Sequence, residues 1–394
     1  MMTFFSLWYH MITEFNELLP LCNIGLNRLF FGYTSLVSKI PEVGKMAKAR
    51  LTWVDTAKGF LMILVVVGHY SGPTMTDFPF IKYIYWFHMP AFFILSGLFF
   101  KPITENSKLK PAIHKRLMQL MVPYLFFLLL LTSIKYGMAI GEGTFTAAFL
   151  KQDLIELAVG GRFLRGEHGV FWFITVMFAT HILFLWITRM KRLFQFMILA
   201  ACYAVAEIEG AFAMGLAGEP DIASMQIPMI WNLDVVLMAV VYFAIGYYFK
   251  KFWMNIPTLA LAAAAAVAFM AFRADEMGWI DYHLSMKFLR YDHALLDLVI
   301  PLAFTAVIIG FFQKITPIIR MPWFEKIEAH SISIMYLHIF IGFMVEDFLP
   351  YNVFTYSFFG LMVPIVLSIL IPKTIPLGEI LIGRFKPRSA IQTH

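Results

Sequence analysis

Apolar runs long enough to cross a bilayer recur from about residue 59 to residue 372, with the charge gathered between them. In lipid every backbone polar group must find its partner inside the segment, so runs of this length have to be helices. Composition agrees, with 60% hydrophobic, 17% aromatic and only 14% charged residues over 394 positions. That is too little charge to cover a soluble domain of this size. The pattern predicts ten spans, at about 59–77, 82–100, 117–136, 170–188, 193–213, 231–249, 256–273, 294–312, 330–349 and 353–372. The expected fold class is an all-α integral membrane protein, a bundle of about ten transmembrane helices.

The loops orient that bundle. Lys45, Lys48 and Arg50 precede the first run, and Lys101, Lys108, Lys110, Lys115 and Arg116 follow the second. The alternate loops hold acids instead, among them Asp153, Glu156, Glu219, Asp221, Asp275, Asp281 and Asp347. Such a Lys/Arg bias predicts both termini in the cytoplasm. It also explains the net charge of +6 without a nucleic-acid partner. Cys22 and Cys202 stand alone, and no metal-ligand spacing is visible. Residues 1–50 are aromatic and interrupted by Glu14, Glu17, Pro20 and Arg28. They read either as an interfacial extension or as sequence ahead of a start at Met46, and lack the marks of a signal peptide. The predicted division is an extension over 1–50, a transmembrane domain over 51–381 and a basic cytoplasmic tail over 382–394.

The first two runs carry ionisable groups where hydrocarbon is the expected surrounding. They read WVDTAKGFLMILVVVGHYSGP and YIYWFHMPAFFILSGLFFKP, with Lys58 and His69 on the first and His88 on the second. Charge or imidazole at membrane depth is costly and by default marks a site. Eleven positions separate Lys58 from His69. On a helix that is within roughly 20° of three full turns and about 16 Å of rise, so both face one way, half a membrane apart. Gly68 and Gly72 allow another backbone or a substrate to come close. The plainer reading leaves His69 bonded to a neighbouring helix and Lys58 anchoring a helix end.

A basic residue, ten positions and a histidine, followed by FHMPAFFILSG, closely resembles the acyltransferase-3 family of membrane proteins. The resemblance continues in RLMQLMVPYLFF, VFWFITVMF, WNLDVVL, YFAIGYYFKK and SISIMYLH, across about 51–381. It implies transfer of an acyl group, usually acetyl, from cytoplasmic acyl-CoA to a hydroxyl of a sugar or other acceptor. His69 would be the catalytic residue, and Lys58 would help to hold the donor. No tightly bound cofactor is implied; acyl-CoA is a co-substrate. The partners are the lipid bilayer, the donor and a carbohydrate or glycolipid acceptor, at a bacterial inner membrane. Two positions depart from the family pattern: Gln119 replaces the second arginine of the third span, and Lys58 replaces the commoner arginine.

Acyl transfer to a hydroxyl needs a base, a held thioester and stabilisation of an oxyanion. Histidine suits the first task because its proton exchanges near neutral pH. His88 lies at a depth similar to His69, and reads either as a second active-site imidazole or as a histidine at a kink made by Pro90. His338 is a third candidate, read by preference as structural. Lys58 and Arg116, with Lys115 beside it, are placed for the donor's phosphates. Ser96 and Gly97 read either as a passage for the pantetheine arm or as helix packing. Asp234 is an acid deep enough to contact the acceptor. The segment from Gly137 to Gly169 is either a surface helix over the cavity or a solvated loop. Rival classes are a glycan or lipid transporter, or a non-catalytic partner in polysaccharide assembly.

Overall fold

The computed structural model describes residues 51–70, 80–217 and 227–385. Residues 1–50, Gly72, Glu219, Asp221 and the tail from 386 lie outside the described residues, with the readings that fell on them. The first helices are α1 (Thr52–Gly68), α2 (Ile81–Tyr85), α3 (His88–Leu98), α4 (Asn106–Gly141), α5 (Ala147–Val159) and α6 (Trp172–Ile187). There follow α7 (Arg192–Ala217), α8 (Val235–Tyr248), α9 (Lys250–Met254), α10 (Thr258–Glu276) and α11 (Leu296–Ile315). The last are α12 (Pro322–Ala329), α13 (Ser331–Glu346), α14 (Val353–Thr374) and α15 (Gly378–Leu381). A short hairpin, β1 (Leu284–Ser285) and β2 (Arg290–Tyr291), pairs antiparallel with Leu284 opposite Tyr291 between α10 and α11.

Each predicted run contains a helix, but not every helix is a full span. Among the described residues seven helical segments are long and apolar enough to cross a membrane, or eight when α12 and α13 count as one span bent by 83°. The difference from ten lies in the first two runs. Helix α1 begins at Thr52 and stops at Gly68, earlier at both ends than the run predicts. The second run breaks into α2 and α3 at Trp86–Phe87, where Phe87 takes φ −146°. Pro90 accounts for the break, since it cannot donate to the Trp86 carbonyl and its ring crowds the preceding turn.

Helix α1 is the centre of the bundle, in contact with α2, α3, α11, α12, α13 and α14. Its buried face includes Asp55 and Thr56 as well as Leu61, Val65 and Val66. At the other extreme, α10 is only 11% buried along its span and lies on the rim. Lipid tails are as apolar as leucine, so helices in a membrane associate through close packing at small residues. Gly59 does this on α1, whose Cα abuts the Phe324 carbonyl of α12. Gly97 and Gly246 do it reciprocally, one against the Phe243 carbonyl of α8 and the other against the Ile94 carbonyl of α3.

Gly97 therefore packs α3 on α8, the second of its two sequence readings. A Cβ there would meet main-chain atoms, which cannot rotate away. Gly97→Ala is expected to cost about 1–3 kcal/mol, seen as a lower midpoint of thermal unfolding in detergent. An unchanged midpoint would contradict this contact.

Candidate active site

Helix α1 ends so that His69 turns back on it. The His69 main-chain N–H reaches the Val65 and Val66 carbonyls at 3.2 Å, and its Nδ1 lies 2.7 Å from the Val65 oxygen. The same arrangement recurs in His88 with Ile84 at 2.8 Å and in His338 with Ile334 at 2.9 Å. A carbonyl can only accept, so in each ring Nδ1 carries the proton and Nε2 presents its lone pair. Three histidines thus share the tautomer a general base requires.

The tertiary fold gathers them. The rings of His69 and His338 stand 5.1 Å apart, nearly edge to face. The Tyr85 ring lies 5.1 Å from His88 and 6.4 Å from His69, between the two. Its hydroxyl donates to the Gly68 carbonyl at 2.8 Å and so fixes the end of α1 to α2. His338 is fully buried, and its Nε2 has no hydrogen-bond partner among the described residues. An unpaired polar atom at that depth costs about 1–3 kcal/mol. From the sequence His338 is a third candidate whose preferred reading is structural; the fold sets it against His69. Its signal, an imidazole inside an apolar run, was the same one that singled out His88.

Three loops interlock over this cluster. Lys287, in the turn between β1 and β2, donates to the Leu164 and Gly169 carbonyls at 2.9 Å each and stands within electrostatic reach of His69. Its own carbonyl accepts from Asn232 Nδ2 at 3.0 Å. The Asn232 amide oxygen in turn accepts from Arg162 N at 2.7 Å and Nε at 3.1 Å. Arg162 and Asp234 form a wholly buried ion pair, and Asp234 also caps α8 by accepting from Val235 N at 2.8 Å. Gly161 makes the interlock possible: it takes φ +61°, and a Cβ there would sit 2.7 Å from Asn232 N. Asp234 thus holds the loops together through Arg162 and caps α8.

A second cluster lies toward the other end of the bundle. Ser96 Oγ is 3.4 Å from His181 Nε2, whose Nδ1 is committed to the Met177 carbonyl at 2.8 Å. The Arg116 guanidinium stands within electrostatic reach of His181 and makes no ion pair or hydrogen bond among the described residues. Ser96 and Arg116, singled out from the sequence, therefore come together, and His181 joins them unforeseen. Lys58 is separate from this group, 3.8 Å from Glu328 on α12. No group of three or more metal-ligating side chains occurs among the described residues.

Comparison with known proteins gives these clusters a context. The chain is 32% identical over 162 residues to nodulation protein NolL of Mesorhizobium japonicum, covering 39% of this chain and 40% of that protein. It is 28% identical over 159 residues to nodulation protein NolL of Sinorhizobium fredii, again 39% and 40% of the two chains. The match spans about two fifths of the length of these curated relatives. No solved structure matches the chain. The acyltransferase domain of the acyltransferase-3 family matches residues 51–372, including every helix from α1 to α13 and most of α14. The chain belongs to the acyltransferase-3 family.

Proposed function

We propose that the chain is a bacterial inner-membrane O-acyltransferase. It carries an acyl group, acetyl in the first instance, from cytoplasmic acyl-CoA to a hydroxyl of a glycan or glycolipid on the far side. The observation that carries this reading is the His69–His338 pair, two imidazoles in contact with their Nε2 lone pairs uncommitted to the backbone. On this reading α1 and the broken α2–α3 also cross the membrane. Added to the eight spans that pass on length and composition, they restore ten and put both termini in the cytoplasm.

The chemistry follows from the tautomer. His69 Nε2 takes the proton of the acceptor hydroxyl as its oxygen attacks the thioester carbonyl carbon. The C–S bond then breaks, the coenzyme A thiolate leaves, and the proton held on His69 passes to it. His338 and His88 hold the reacting groups in line, and the Lys287 charge offsets the negative charge that develops on the thioester oxygen. Arg116, Ser96, His181 and Lys58 hold the donor where its phosphates meet the cytoplasmic face.

Arg116 has no anion of its own among the described residues, so Arg116→Ala is expected to act on the donor alone. Loss of one charge-assisted contact raises the KM for acyl-CoA about tenfold with kcat and acceptor KM unchanged. A fall in kcat at unaltered donor KM would remove Arg116 from the donor site. The reading as a whole is tested with membranes containing the chain, acyl-CoA and glycan acceptors. It predicts coenzyme A release matched by base-labile ester on the acceptor. Acceptor movement across the membrane with no donor consumed would replace it by transport.

A further inference from the structure

The segment between α4 and α6 forms a cleft of about 190 Å³ beside the histidine cluster. Lys135 of α4, Asp153, Glu156 and Leu157 of α5, and Arg165 and Glu167 of the following loop line it. Its walls are built rather than loose. Asp153 is buried and held by Lys135 at 2.5 Å and by the Tyr136 hydroxyl at 2.7 Å. Glu167 lies 3.2 Å from His168, whose other ring nitrogen is 3.2 Å from the Thr132 hydroxyl. Arg165, by contrast, is exposed, and its guanidinium makes no ion pair or hydrogen bond among the described residues. The turn Gly166–His168 packs on α13, and Gly169 faces Ile339, the residue after His338. The cleft is therefore one loop's thickness from the imidazoles.

We propose that this cleft binds a neutral sugar ring of the acceptor, next to the one that is acylated. The inference rests on the proposed acyl transfer to a glycan and names the residues that recognise it. Sugar hydroxyls donate and accept at once, so they suit a wall that offers carboxylate acceptors and guanidinium and ammonium donors side by side. Leu157 and Leu164 give the apolar floor that the ring's C–H face requires. Charge selects the class: two cations, Lys135 and Arg165, stand against three carboxylates, Asp153, Glu156 and Glu167. That balance rejects an acidic sugar and accepts a neutral one.

The test uses Leu157→Cys in the full chain, purified in detergent and labelled with a maleimide, with modification at 157 read by peptide mass spectrometry. The probes are methyl glycosides of glucose, galactose, mannose and N-acetylglucosamine, with methyl glucuronide as the acidic comparison. Asp281→Cys, on an exposed loop residue, is the control. Bound sugar should slow labelling at 157 by the factor 1 + [L]/Kd, about elevenfold at ten times Kd, and leave 281 unaffected. Adding Arg165→Ala should weaken that protection by about tenfold in Kd. Equal labelling with and without every glycoside, or better protection by the glucuronide, overturns the proposal. Protection without any acyl transfer keeps the cleft and removes the transfer reading, whereas transfer without protection removes the cleft.

Discussion

His69→Ala is expected to lower acyl transfer by about 10²–10⁴-fold, the usual contribution of a positioned general base, while the protein inserts and accumulates normally. The basis is the geometry of a single ring. Its Nδ1 proton is committed to the Val65 carbonyl at 2.7 Å, so the loss removes the one nitrogen free to accept a proton. His69 is only partly buried, at the end of α1, and its removal leaves the packing of that helix on α12 through Gly59 intact. The variant should therefore keep its thermal midpoint and its KM for acyl-CoA. The measurement is coenzyme A release in membranes with equal amounts of wild type and variant. Retained activity would move the base to His338 or His88.

Asp234→Ala should give the largest loss of stability. Arg162 is wholly buried and paired with Asp234, and removing the carboxylate leaves a cation in the interior without its counter-charge. Breaking one partner of such a pair costs about 3–5 kcal/mol. Loss of the α8 cap made to Val235 N adds about 1 kcal/mol. The double substitution Arg162→Met with Asp234→Leu should recover much of the loss, because well-packed apolar residues replace a buried pair at little cost. Thermal unfolding in detergent separates the cases: a single variant as stable as wild type would show that the pair does not hold the loops. In the double variant the Asn232 contacts made by Arg162 Nε also go, so transfer should fall further than stability, through looser placement of Lys287.

What the sequence revealed and what it hid divide along physical lines. Apolar length marked the long helices, because burial in lipid depends on composition over a whole run, and missed the short α9, α12 and α15. The break before α3 was signalled only by Pro90, as one of two readings, and the bend between α12 and α13 not at all. Pro90 and the bend between α12 and α13 decide where α3 and α13 begin, and those are local conformational events inside apolar surroundings. His69 and His88 were legible because an imidazole in hydrocarbon is costly wherever it occurs. His181 and His338 carried that signal equally, but only the tertiary fold shows that they meet Ser96 and His69. Lys287 was not legible at all. It reaches the cluster from a polar loop, and the loop is drawn in by Asn232 and two carbonyls distant in sequence. Asp234 and Gly97 stood out for sound reasons, an acid at depth and a small residue in a span, yet each is satisfied by a neighbour within the bundle.

The central claim is that an acyl group passes from a thioester on the Lys58 side to a hydroxyl beside His69. Sealed inside-out vesicles test it most directly, with acceptor glycan trapped in the lumen and radiolabelled acetyl-CoA supplied only outside. The account predicts labelled ester on the trapped glycan with wild type and none above background with His69→Ala. No label on the trapped glycan with wild type, or equal labelling by the variant, would contradict it.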